Sequence, residues 1–180
     1  ANGDNRQIEM LYTDLASNDF STLFRMMQGM QGDPNHAYQS HYDNVFVHGC
    51  GTGFHQQLMA DGSLNLGFSA TAMHYVSVKP MEIPTHVHSV CADPESRAAY
   101  AQQAAEDWEN ILLARAAELM PGGRFICLNF GIDEKGRYLG NTGGQHMFDL
   151  FHQFWLALYD DGSITNDEYK RASFAQYYLS

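Results

Sequence analysis

At 180 residues and 20.2 kDa, with 44% hydrophobic and 13% aromatic residues, the chain is long and apolar enough to fold around a core, which excludes a disordered class. Its formal net charge of −11, from 21 acidic against 10 basic residues with no Lys/Arg cluster, excludes a phosphate-backbone or anionic-membrane partner and favours a small organic ligand. Cys50, Cys91 and Cys127 are widely spaced without a CxxC, as in a protein with reduced thiols in a cytoplasmic compartment, and the opening ANGDNRQIEM has no leader-like basic or apolar stretch.

Residues 8–15, IEMLYTDL, alternate as a strand that ends on an acidic residue, and Ala16, Ser17 and Asn18 are expected to cap a helix carrying Phe20, Leu23, Phe24 and Met27 on one face. An Asp at such a strand end suits the two hydroxyls of a ribose, although Asp14 can equally help to cap the helix. Residues 28–43 are rich in Gly, Asn, Gln and Ser and read as an irregular loop. Residues 44–48, NVFVH, form a second short strand that opens into Gly49, Cys50, Gly51, Thr52 and Gly53 before Phe54. Three glycines allow a flat ligand to approach the backbone and Phe54 to cover it, though the spacing is not GxGxxG.

Residues 65–77, NLGFSATAMHYVS, are the stretch that the rest serves. Leu64, Leu66 and Phe68 alternate as in a strand that buries one face, and the pattern then breaks into small and polar residues before His74 and Tyr75. Ligands of open α/β sheets lie beyond the carboxyl ends of strands, so Ser69 to Tyr75 falls where a bound molecule sits. Lys79, Pro80 and Pro84 stop regular structure. His86 and His88 form an HxH pair that, in extended chain, puts both rings on one face. No third ligand stands at a recognisable spacing, so the pair is expected to hold no transition metal.

Asp93 and Pro94 start the longest helix, running to about Met120, with Ala98, Ala101, Ala105, Trp108, Ile111, Leu112, Arg115 and Leu119 on its periodic face. Residues 124–130, RFICLNF, read as a strand buried within a parallel sheet. A glycine-rich loop follows, then an aromatic helix over residues 145–159 whose Met147, Phe148, Phe151, Phe154 and Trp155 are core or the roof of a pocket. Thr165 caps a last helix. Strand–helix–strand order predicts a parallel sheet flanked by helices.

Four segments, in order, carry a resemblance to a known family. YTDLASNDFSTLF is similar to the NDLPGNDFNTLF of the plant salicylate, benzoate and theobromine (SABATH) carboxyl methyltransferases, and FSATAMHYVSVKP to their HSSYSLHWLSQVP. LARAAELMPGGRF resembles their segment ending in ELxPGGRM, and FDLFHQFWLALYDDGSI their WELLAMALNDMVAEGLI.

The resemblance implies an α/β fold: the Rossmann-like class I methyltransferase sheet with flanking helices and an α-helical cap, divided as residues 1–131 for the cofactor and 132–180 for the cap. It implies S-adenosyl-L-methionine as cofactor and the carboxylate of a small molecule as methyl acceptor. N-methylation of a heterocycle and a non-catalytic ligand-binding remnant are the alternatives, and a His-rich metal hydrolase rests on His86 and His88 alone. Asp14, Leu15, Gly53, Phe54 and Ser69 are expected at the cofactor. Thr71, His74, Tyr75, Met147 and Phe148 are expected at the acceptor, with no acid–base residue required. Gly53, Thr71 and Tyr75 stand where the family has Ser, Tyr and Trp. The family's first strand and its C-terminal strands have no counterpart in the sequence. Its metal-binding Asp-Ser-Phe-Asn is Ala172-Ser173-Phe174-Ala175 here, so no ion is expected there. Neither nucleic acid nor membrane is a partner in this reading, which leaves a homodimer open.

Overall fold

A computed structural model describes residues 6–141, 144 and 146–178, which fall into two compact units, Ala1–Leu58 and Met59–Ser180. In the first, strand β1 (Ile8–Thr13) pairs in parallel with β2 (Val45–Cys50), with Thr13 opposite Cys50. Helix α1 (Phe20–Met27) crosses between them, as the strand–helix–strand order requires. Its cap is Asp19 and not the expected 16–18 stretch. Asn18 is already engaged, its Nδ2 donating to Asp14 Oδ2 at 2.5 Å, whereas Asp19 Oδ1 accepts from the Thr22 N–H at 3.0 Å. Thr22 also holds the Asp19 carboxyl below its ordinary range. β2 runs past His48 through Gly49 because a Cβ there would lie 2.9 Å from Phe24 Cζ, so only glycine lets the helix ring lie on the strand. The loop after α1 winds into 3-10 turns, Pro34–His36 and Tyr38–Ser40, about the buried Ala37.

In the second unit, β3 (Leu64–Ala70) pairs in parallel with β4 (Leu119–Leu128), joined through α2 (Pro94–Glu118). Asp93 caps α2 by accepting from Ser96 N at 2.9 Å, and its bonds to Ser96 and Thr85 pull its pKa down to about 2. The buried line of α2 is Ser96, Tyr100, Ala104, Asp107, Ile111, Arg115 and Glu118; it shares Ile111 and Arg115 with the expected face and is otherwise offset from it. The offset arises because polar residues on that line are bonded in place. Asp107 accepts from both N and Oγ of Ser77 at 2.7 Å. Arg115 pairs with Glu118 at 2.6 Å. Apolar spacing alone passes over such residues. Val76, Ile83, Ala92, Tyr100 and Ala104 form the core.

β4 starts directly at the helix end, taking residues 121–123 into the strand, and its register against β3 slips between Leu64 and Leu66. Leu66 and Phe68 are 59% and 66% exposed, and Ile126 and Leu128 beside them on the same face are exposed as well. The burial expected of these strands is therefore not found. A period of two places side chains on one face but does not say which face the chain covers. Helix α3 (Met147–Asp160) buries only Phe148 of the apolar residues expected as core; Phe151 and Phe154 are exposed. Helix α4 (Asn166–Arg171) starts with the expected Thr165, in a reciprocal cap with Glu168, and Trp155 Nε1 ties α3 to it through Tyr169 O at 3.1 Å. Among the described residues the three cysteines are free, and no helix is long and apolar enough to cross a membrane.

Candidate functional site

Four of the five residues expected at a cofactor, Asp14, Leu15, Gly53 and Phe54, follow the ends of β1 and β2. Asp14 follows β1, its N–H bonded to Cys50 O at 3.1 Å, so the ladder continues to the point where the acidic side chain emerges. Oδ1 accepts from Leu15 N at 2.7 Å and Oδ2 from Asn18 Nδ2, which fixes the carboxylate in an Asx-type turn. A carboxylate has about four acceptor sites, so two remain for a diol. Asp14 and Leu15 are exposed, and a Cβ on Gly53 would touch Leu15 Cδ2 at 3.4 Å, so the glycine sits directly beside Leu15. Phe54 follows, its ring 4.3 Å from that of His55. Ser69 belongs to the other unit, near the end of β3 and opposite Cys127.

The end of β3 is strained. Thr71 has φ 54°, a left-handed conformation that a β-branched side chain resists, and its N–H is pinned to Leu128 O at 2.7 Å. Such strain is a mark of functional loops, and a turn here delivers His74 and Tyr75. Those two are clamped by the segment 175–177: Val76 N bonds to Ala175 O at 2.9 Å, Tyr177 N to His74 O at 3.0 Å, and Tyr75 bridges Gln176.

His74 is 5% exposed and lies in an aromatic cage, its ring 4.9 Å from Tyr75, 5.1 Å from Phe130 and 5.6 Å from an edge-on Tyr178. Burial pushes its pKa down, against the effect of the Asn129 amide. His74 Nδ1 and Asn129 Oδ1 are buried without a well-formed hydrogen bond. On the α2 side of the pair, a recess lined by Met73, His74, Ala104 and Trp108 holds only about 10 Å³. That is room for about one water.

Phe148 reaches the cage from α3. It is 4% exposed, stacks on His88 at 4.2 Å and lies 6.2 Å from Tyr178. His74, Tyr75 and Phe148 are therefore brought to one cluster, through Tyr178. Met147 lies against Gly140, its N–H bonded to Gly140 O at 3.2 Å. Residues that the sequence reading missed complete the cage: Asn129 and Phe130, directly after β4, and Gln176 and Tyr178. The strand-end rule that singled out Ser69 applies equally after β4 and would have found the first two. Nothing in the spacing of QYYLS marks the others.

The HxH pair does not share a face. His88 turns inward, fully buried, with Nε2 3.3 Å from Gln176 Oε1, and burial drives its pKa down to about 4. His86 turns to α3, with Nε2 3.2 Å from Asp149 Oδ1 and its ring 4.7 Å from His152.

Comparison with known proteins bears on the family and the fold. The chain is 28% identical over 181 residues to gibberellic acid methyltransferase 1 of Arabidopsis thaliana, covering 93% of this chain and 46% of that one. It is 29% identical over 133 residues to the probable 7-methylxanthine methyltransferase 3 of Theobroma cacao, covering 68% of this chain and 34% of that one. A solved structure of loganic acid methyltransferase with SAH superposes with a TM-score of 0.76 at 22% identity, over 97% of this chain and 48% of that chain. The fold is thus that of an α/β methyltransferase, and the chain spans half or less of the length of these proteins. The family model of SAM dependent carboxyl methyltransferase matches residues 1–180. The chain belongs to that family.

Proposed function

We propose that the chain is part of an S-adenosylmethionine-dependent methyltransferase that acts on the carboxylate of a small molecule. The observation that carries the reading is the His74–Tyr75 pair, delivered by a strained turn at the end of β3 and caged by aromatic rings. Residues 1–131 serve the cofactor and 132–180 the cap, within a Rossmann-like sheet and a cytoplasmic setting. When bound, S-adenosylmethionine supplies a methyl carbon open to in-line attack. Asp14 would accept the ribose hydroxyls, and Leu15, Gly53 and Phe54 would bound the adenine; Ser69 is kept as a cofactor residue on the sequence resemblance alone.

A carboxylate is ionised at neutral pH, so the protein need not remove a proton and catalysis is alignment and exclusion of water. Burial keeps His74 neutral, so its ring donates one hydrogen bond to the acceptor without fixing a full positive charge beside the attacking oxygen. The Tyr75 hydroxyl is the second donor, and Phe148 walls the cage. Transfer to a ring nitrogen is the second reading, favoured by the similarity to the 7-methylxanthine methyltransferase.

Tyr75→Phe removes one donor and keeps the ring against His74. Methyl transfer is expected to fall by about tenfold to a hundredfold, roughly 1.4–2.7 kcal/mol of transition-state stabilisation, with cofactor affinity unchanged. Full turnover in that variant would remove Tyr75 from the acceptor site. Asp14→Asn keeps the turn but weakens the acceptor, and S-adenosylhomocysteine binding should weaken by about 1.5–3 kcal/mol in calorimetry. Equal affinity in variant and wild type would remove Asp14 from the ribose.

A further inference from the structure

The acceptor cage leaves unused a polar cluster between the loop that carries His86 and Cys91 and the first turn of α3. His86 is 8% exposed, and its Nε2 is a buried nitrogen without a well-formed hydrogen bond, aimed at Asp149 Oδ1. Cys91 Sγ completes the group: ligand atoms of His86, Cys91 and Asp149 all lie within 4.8 Å of one another. Around them, the Tyr138 hydroxyl stands 2.7 Å from Cys91 Sγ and 2.7 Å from His146 Nδ1, and His146 Nδ1 lies 3.6 Å from Asp149 Oδ2. The expectation that His86 holds no metal rested on a missing third ligand. Chain folding supplies two, one five residues away and one from a different element.

We propose that His86, Cys91 and Asp149 bind one divalent transition metal of the zinc type, with a fourth, water-filled position on the half-exposed Asp149 side. One imidazole nitrogen, one sulfur and one carboxylate oxygen are a borderline-soft donor set that suits zinc and disfavours calcium or magnesium, which take oxygen. His86 Nδ1 now accepts from His88 N at 3.1 Å, which puts the neutral ring's hydrogen on Nε2. Binding moves that hydrogen to Nδ1 and gives up the His88 bond, a loss that a metal–nitrogen bond exceeds. The ring keeps its one proton, and the Cys91 thiol loses its own to become the thiolate ligand. Uptake therefore releases about one proton per metal. The ion would fasten the 86–91 loop to α3, whose Phe148 adjoins Asp149 and stacks on His88. Its role is to hold the cage wall, and the inference stands apart from the methyl-transfer reading.

The test is zinc titration of the metal-free chain, with calorimetry in buffers of different ionisation enthalpy, followed by cobalt substitution. One zinc per chain, about one proton released and a thiolate-to-cobalt charge-transfer band are expected. Cys91→Ser should abolish the band and weaken zinc binding by about tenfold or more, and Asp149→Asn should also weaken it, whereas Cys127→Ser should leave it intact. Circular dichroism shows that each variant is folded, and if Asp149→Asn is not, the Cys91→Ser pair of readings decides. Absence of stoichiometric zinc, or binding and a cobalt spectrum indifferent to Cys91→Ser, would overturn the proposal.

Discussion

Arg115→Ala is expected to destabilise the fold by about 3–5 kcal/mol, a large share of a domain's stability. Arg115 and Glu118 are 3% and 1% exposed, and their side chains meet in two bonds, at 2.7 Å from Nε and 2.6 Å from Nη2. Glu118 Oε1 also accepts from Met59 N at 3.2 Å, so this pair fastens the turn before β3 to the end of α2. Removing the guanidinium leaves a buried carboxylate without its cation. A double replacement, Arg115→Met with Glu118→Leu, should recover much of the loss, because burying two charges costs about as much as their attraction returns. Urea unfolding of the single and double variants measures this. A single variant within about 1 kcal/mol of wild type would show that the pair is hydrated in solution.

Acid should loosen the chain through His88. Burial among Phe148, Tyr178 and Phe174 is the largest cause of its native pKa of about 4; the Gln176 bond opposes it, and His86 and His74 add to it. The ordinary value of 6.5 holds in the unfolded chain, so between these two values the unfolded state takes up a proton that the native state refuses. Stability from the neutral ring is therefore complete above pH 6.5 and lost as pH falls towards 4, on the order of 3 kcal/mol in all. His88→Phe keeps a ring against Phe148 and has nothing to titrate. Its unfolding free energy should change less between pH 7 and pH 4 than that of wild type, and an identical slope would move the acid response elsewhere.

Local patterns made most of the elements legible. Alternation marked β1 and β3, Asp93-Pro94 marked the start of α2, and Thr165 marked that of α4. What the patterns could not carry was the choice of buried face. Leu66 and Phe68 alternate as expected yet lie open, and the buried line of α2 contains Asp107 and Glu118, whose partners stand far along the chain or one turn away. The cage shows the same limit. His74 and Tyr75 were visible at a strand end, but Tyr178 and Gln176 reach them through the pairing of the 175–177 segment with residues 74–76, about a hundred positions apart in the chain. His86 and His88 share a motif and separate because one is drawn to Asp149 and the other to Gln176.

Transfer of labelled methyl from S-adenosylmethionine to a panel of small aromatic and aliphatic carboxylic acids tests the central claim most directly, with the product then treated with mild base. Label is expected only with an acid acceptor, should be released by base as a methyl ester must be, and should fall about tenfold to a hundredfold with Tyr75→Phe. Label that survives base would place the methyl on nitrogen. S-adenosylhomocysteine binding by a folded chain that transfers no label to any acid would contradict the enzyme reading and leave a ligand-binding protein.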